Sequence, residues 1–140
     1  IDTDALSLAD ENVNKFAADV ELIKSDLFDE IDKKYDLIFA NPPYIPSHDI
    51  DGLDAEVKDF EPKRALDGGA DGLDFYRRIA AEYGAHLNDG GTLLLEAGIG
   101  EADAIDRIFG MTSERISDYN QPPVARVLIY RNIAADVKQS

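Results

Sequence analysis

Short apolar runs alternate along this chain with stretches of helical periodicity, and that alternation decides the fold class. Tyr35-Asp36-Leu37-Ile38-Phe39-Ala40 and Thr92-Leu93-Leu94-Leu95-Glu96 are short, apolar and β-prone, as buried parallel strands are. Leu6, Ala9, Val13 and Phe16 recur at helical spacing and predict an amphipathic helix over about residues 4–15, with Thr3 or Asp4 as N-cap. Leu73, Tyr76, Ile79, Ala80, Tyr83 and Leu87 predict a second helix, stopped by Asn88-Asp89-Gly90-Gly91. Ala102, Ile105, Ile108 and Phe109 predict a third, closed by Gly110. Ile1-Asp2 reads as the end of a strand, residues 20–24 as a short strand, and residues 115–118 and 124–131 as the last two. Such alternation implies a parallel, doubly wound sheet. The last two strands are joined only by the turn at Asn120-Gln121-Pro122-Pro123. A parallel crossover needs roughly a dozen residues or more. The expectation is therefore an α/β, Rossmann-like, mostly parallel sheet that ends in an antiparallel hairpin.

Asn41-Pro42-Pro43-Tyr44 follows directly on the 35–40 strand. Open α/β sheets bind ligands outside the carboxyl ends of their strands. Each proline fixes its own φ and pushes the preceding residue out of the helical region. Asn41 and Pro42 are thus expected to be extended, with their carbonyls held in set directions. Neither proline has an N–H, so acceptors dominate the loop, and Tyr44 adds an aromatic face with a polar tip. The chemistry suits a planar group that carries N–H donors. Taken alone, Asn-Pro-Pro is equally a plain strand-ending turn, because both residue types form turns.

Residues 45–72 follow without a sustained period and carry Pro46, Pro62 and Gly68-Gly69. A loop of that length is expected to be a substrate-facing flap, with a short helix over about 54–59. Glu61 reads as a surface partner of Lys63 or Arg64, Tyr76 and Tyr83 as core, and His48 and His86 as solvated. Glu96 ends a strand at the ligand edge but is assigned no role.

Composition narrows the classes. With 140 residues the chain is long enough for a real core. There is no cysteine and only two histidines, so neither a disulfide framework nor a zinc site is expected. No apolar run reaches the roughly 18 residues of a membrane helix, and no signal peptide is visible, so a cytoplasmic protein without membrane contact is expected. Twenty-nine acidic against 14 basic residues give a net charge of −15. That charge repels phosphate backbones and disfavours direct nucleic-acid binding. A basic or neutral protein partner is easier to accommodate, and solubility alone also accounts for the acidity.

The chain resembles the S-adenosylmethionine-dependent methyltransferases and, within them, the release-factor glutamine methyltransferases. The resemblance rests on Ile1-Asp2 with Ala5-Leu6, Ala9, Asn12 and Asn14, on Ser25-Asp26-Leu27-Phe28, and on residues 35–38 running into Asn41-Pro42-Pro43-Tyr44-Ile45. Phe60-Glu61-Pro62, Ala65-Leu66, Gly68-Gly69, Asp71-Gly72-Leu73, Tyr76, Gly90-Gly91 and Leu94-Leu95-Glu96 extend it. Asn-Pro-Pro-Tyr alone is shared with enzymes that methylate amino groups of DNA and RNA bases. Phe60-Glu61-Pro62 with the 68–76 run narrows it to the glutamine enzymes.

The resemblance implies the class I methyltransferase fold and a cofactor, S-adenosylmethionine. It implies that Asp2 binds the cofactor's ribose hydroxyls, that Asp26 and Leu27 line its adenine pocket, and that Asn41 also faces the cofactor. It implies that Asn41, Pro42, Pro43 and Tyr44 bind the glutamine amide, with Asn41, Pro42 and Tyr44 catalytic, and that the partner is a peptide chain release factor. Asp2 is as well placed to cap the helix that follows it.

The family's glycine-rich loop and first strand would precede Ile1, so residues 1–131 are expected to be part of a catalytic domain and 132–140 a tail. Exposed sheet edges would then invite self-association. The segment 118–123 also departs from the family's glycine-containing turn. Two other classes remain open: a nucleic-acid amino-methyltransferase, and a catalytically incompetent fragment of the family.

Overall fold

The computed structural model describes residues 2–54, 56 and 62–132. The chain divides into two units, Ile1–Lys33 and Lys34–Ser140.

In the first unit, helix α1 spans Thr3–Phe16. Its start is set by Asp2, whose Oδ1 accepts the N–H groups of Asp4 at 2.9 Å and Ala5 at 3.2 Å. Those donors have no partner inside the helix. The helix stops at Ala17, which takes the left-handed conformation at φ 47°. Leu6, Ala9 and Val13 are half-buried, and no α1 residue is buried. Residues 20–24, expected as a strand, join no ladder among the described residues. Val20 and Leu22 are exposed. Strand propensity reflects packing on neighbours as much as the backbone itself.

A four-stranded sheet in the order β1-β2-β4-β3 organises the second unit. Its strands are β1 (Tyr35–Ala40), β2 (Leu87–Glu96), β3 (Glu114–Ser117) and β4 (Ala125–Arg131). Between them lie α2 (Lys63–Leu66), α3 (Asp74–His86) and α4 (Ala102–Phe109). β1 pairs in parallel with β2, while β4 runs antiparallel to both β2 and β3. The α/β sheet with a terminal antiparallel hairpin is therefore present, its parallel part being the β1–β2 pair among the described residues.

One sheet face is closed by the helices. Leu93 pairs with Tyr130 and Leu95 with Leu128 across β2 and β4. All four are buried, with Tyr76, Ile79 and Ile105 of α3 and α4. Phe109 stacks on Tyr130 at 4.3 Å and meets Tyr83 at 5.4 Å, which places Tyr76 and Tyr83 in the core cluster.

Two elements differ from expectation. β1 was expected to be buried, but among the described residues it is terminal in the sheet and leaves Leu37 and Phe39 exposed. β2 begins five residues early: residues 88–91 do not end an element but loop out within it. Tyr35 pairs with Leu87 and Leu37 already with Thr92. The looped backbone is held by Asn132, whose carbonyl accepts the Gly90 N–H and whose own N–H reaches Gly91 O. Gly90 sits at φ 76°, which only glycine adopts readily. Thus Asn132, expected in the tail, is tied to the sheet, whereas residues 133–140 lie outside the described residues.

Candidate functional site

The loop after β1 is stiff because of its sequence and anchored because of the fold. Pro42 is buried, Pro43 and Tyr44 are half-buried, and Asn41 is exposed. Among the described residues the Asn41 side chain has no hydrogen-bond partner, so its acceptor and donors remain available. The four residues, with Ile45, Leu53, Ala65 and Leu66, line a cavity of about 410 Å³. An exposed amide at the mouth of a mainly apolar cavity suits one polar side chain carried in on an apolar stem.

The segment after the loop is pinned at its base. Ile45 N–H donates to Leu66 O at 3.0 Å, and Gly68 N–H donates to Ile45 O at 2.9 Å. Ser47 N–H reaches Gly69 O at 2.8 Å, and Ser47 Oγ donates to Asp67 Oδ1 at 2.6 Å. The hydroxyl of Ser47 and the N–H of Gly69 hold the Asp67 carboxyl below its ordinary pKa. A 3₁₀ turn at Ile50–Gly52 buries Ile50. The helix expected over 54–59 and the Glu61 pairing fall largely or wholly outside the described residues.

Gly72 closes the other side. It sits at φ 79°, and an added Cβ would run into the Tyr44 carbonyl oxygen and lie 2.9 Å from Glu101 Oε1. Glu101 in turn accepts the Gly98 N–H at 3.0 Å. Burial raises the Glu101 carboxyl above its ordinary pKa.

Two side chains from distant parts of the sequence meet at Tyr44. Arg126 Nη2 donates to the Tyr44 hydroxyl at 3.2 Å and to Glu96 Oε1 at 3.2 Å. The Tyr44 hydroxyl lies 3.4 Å from Glu96 Oε1 and donates to it. Tyr76 Oη donates to the Glu96 carbonyl at 2.7 Å, which fixes the end of β2. Sequence reasoning left Glu96 without a role and overlooked Arg126. Position at a strand end flagged Glu96, whereas no local signal marks Arg126.

Of the residues expected to bind cofactor, Asp2, Asp26 and Leu27 belong to the first unit. Asp2 is half-buried and is the α1 cap. Asp26 and Leu27 are half-buried in a turn where Ser25 Oγ donates to Leu27 O at 2.9 Å. Leu27 takes φ 54°, a conformation uncommon for leucine. Asn41, Pro42, Pro43 and Tyr44 belong to the second unit and share one cavity.

A larger cavity, about 510 Å³, lies beside Tyr83, Ile129 and Tyr130. Its charged groups Glu114 and Arg131 pair with each other at 2.9 Å. Among the described residues no cluster of His, Asp and Glu could hold a metal ion. No helix there is long and apolar enough to cross a membrane.

The family described as "Methyltransferase small domain" matches residues 1–56. A release factor glutamine methyltransferase of Geobacter sulfurreducens is 46% identical over 109 residues, which are 77% of this chain and 38% of that protein. A ribosomal protein uL3 glutamine methyltransferase of Francisella tularensis is 43% identical over 101 residues, 70% of this chain and 32% of that protein. The chain thus spans less than half the length of these curated relatives. A methyltransferase from Pyrococcus furiosus shares the fold with a TM-score of 0.68 at 21% identity, over 95% of this chain and 60% of that one.

Proposed function

We propose that this chain, which is similar to the release factor glutamine methyltransferases, forms the substrate-binding part of an S-adenosylmethionine-dependent enzyme. Its acceptor is the side-chain amide nitrogen of a glutamine in a peptide chain release factor. The observation that carries this reading is the exposed Asn41 amide at the rim of the 410 Å³ cavity, followed by two prolines that leave its neighbours without donors.

An amide nitrogen is a weak nucleophile because its lone pair is delocalised into the carbonyl. The Asn41 side-chain oxygen and the Pro42 carbonyl accept its two N–H bonds, which favours charge build-up on nitrogen. The same two bonds fix the direction of the nitrogen lone pair. The Tyr44 ring supports the planar amide. The proton lost from nitrogen passes to water.

The residues of the first unit fit an adenosyl group chemically. Asp2 uses Oδ1 for the helix cap, and a carboxylate has about four lone-pair sites. A carboxylate of this kind suits ribose hydroxyls, while Asp26 and Leu27 offer one polar and one apolar side chain for adenine. Bound S-adenosylmethionine supplies an electrophilic methyl group. On this reading residues 1–131 are part of a catalytic domain that works in the cytoplasm, where release factors act. The outer edge of β1, terminal in the sheet among the described residues, supports pairing with another strand.

The relative named as a ribosomal protein uL3 glutamine methyltransferase favours a second protein substrate, a glutamine of that ribosomal protein. A net charge of −15 disfavours a nucleic-acid base as acceptor. The test is methyl transfer by the intact protein to a release factor, to protein uL3 and to DNA. Transfer to the release factor is expected, and Asn41→Ala lowers it at least about a hundredfold with an unchanged melting temperature. Near-normal turnover by that variant sinks the mechanism. Calorimetry of the 140-residue chain with S-adenosylmethionine separates a competent cofactor site from an incompetent fragment.

A further inference from the structure

We propose that Arg126 is a positioning residue for the methyl-accepting site, acting through the Tyr44 hydroxyl. This rests on the glutamine methyltransferase reading above. Arg126 stands near the start of β4, Glu96 at the end of β2, and Tyr44 four residues beyond β1. Arg126 Nη2 donates to both the Tyr44 oxygen and Glu96 Oε1, each at 3.2 Å. The Arg126 backbone is itself locked, because its carbonyl accepts the Ala97 N–H at 2.9 Å. Its side chain is 26% exposed and that of Glu96 27%, so the pair is sheltered from water more than a surface pair is. Burial opposes the Arg126 charge, but the bonds to Tyr44 and Glu96 outweigh it.

The arrangement fixes the direction of the phenol. Arg126 can only donate, so it takes a lone pair of the Tyr44 oxygen. The phenol proton then points to Glu96, which as a carboxylate can only accept. The proton of the hydroxyl and one of its lone pairs are thus engaged inside the protein. Tyr44 meets the substrate with its ring and not as an acid or base. The guanidinium carbon lies 5.6 Å from the ring centroid, so Arg126 also limits ring tilt. Holding the ring aligns the glutamine amide without Arg126 touching it.

The experiment is a double-mutant cycle on the intact protein, with a release factor as substrate. Tyr44→Phe removes only the hydroxyl, and Arg126→Ala removes its anchor. Each is expected to lower kcat about tenfold with little change in KM for the cofactor. The double variant is expected to be no worse than the poorer single variant by more than about twofold, because both changes break one device. Arg126→Lys, which keeps a donor, is expected to recover part of the loss. Multiplying effects in the double variant, or an unchanged kcat in Arg126→Ala, overturns the inference alone. Wild-type protein that methylates no glutamine overturns the functional reading and this inference together. If Arg126→Ala fails to fold, the Tyr44→Phe and Arg126→Lys variants and their double variant decide by the same rule.

Discussion

Helices α1 and α3 are nearly equal in length, 14 and 13 residues, and both carry an apolar stripe. They differ in what the stripe achieves. α3 buries Tyr76 and Ile79 almost completely, whereas no residue of α1 is buried and Phe16 stays 71% exposed. The stripe says which face seeks cover. Cover itself comes from neighbouring elements, which α3 finds in β2 and α4. Burying one large apolar side chain is worth about 1.5–3 kcal/mol. The second unit should therefore be much less tolerant of truncation than the first.

That contrast can be broken or sharpened by four substitutions. Tyr76→Ala opens a cavity in the core and frees the Glu96 carbonyl, at a cost of about 3–5 kcal/mol. The measurement is the urea midpoint, and a loss below 1 kcal/mol would place the core elsewhere. Gly72→Ala comes next, at about 2 kcal/mol, since it strains a positive φ and presses on the Tyr44 carbonyl. It should also lower methyl transfer.

Asp106 gives a pH-dependent test. Burial alone would raise its carboxyl, but hydrogen bonds from Arg115 and Tyr130 outweigh burial and hold its pKa below the ordinary value. A group whose folded pKa is depressed contributes stability above the unfolded value, near pH 4, and loses it as pH falls through the folded pKa. Asp106→Asn is expected to cost about 1.5 kcal/mol at pH 7 and much less below the folded pKa. A cost that does not fall as the pH is lowered through the titration of Asp106 would mean that the charge is irrelevant. Phe16→Ala, the α1 counterpart of Tyr76→Ala, is expected to cost under about 0.5 kcal/mol. A cost above 2 kcal/mol would show that the α1 stripe is covered in solution.

Much of the second unit was legible in advance. α3, α4, β1 and the β3–β4 hairpin lie where periodicity and turn length place them, because each rests on a pattern within a dozen residues. Residues 20–24 were misread because a β-prone run becomes a strand only beside another. The early start of β2 escaped notice since Asn-Asp-Gly-Gly reads as a stop, and only the pairing with Asn132 keeps it in the strand. In the site, the cavity lining by Asn41, Pro42, Pro43 and Tyr44 followed from their position after β1. Glu96 and Arg126 did not, for they lie 52 and 82 residues from Tyr44.

The sequence by itself determined the stiffness of Asn41-Pro42-Pro43-Tyr44 and its place at a strand end. Proline rings act on their own φ and on one neighbour, so their effect needs no tertiary partner. Only the tertiary structure decided how the Tyr44 ring is held. Its hydroxyl is satisfied by an arginine and a glutamate that pairing of β2 and β4 brings together, and such pairing is fixed by packing over the whole sheet rather than by any local run.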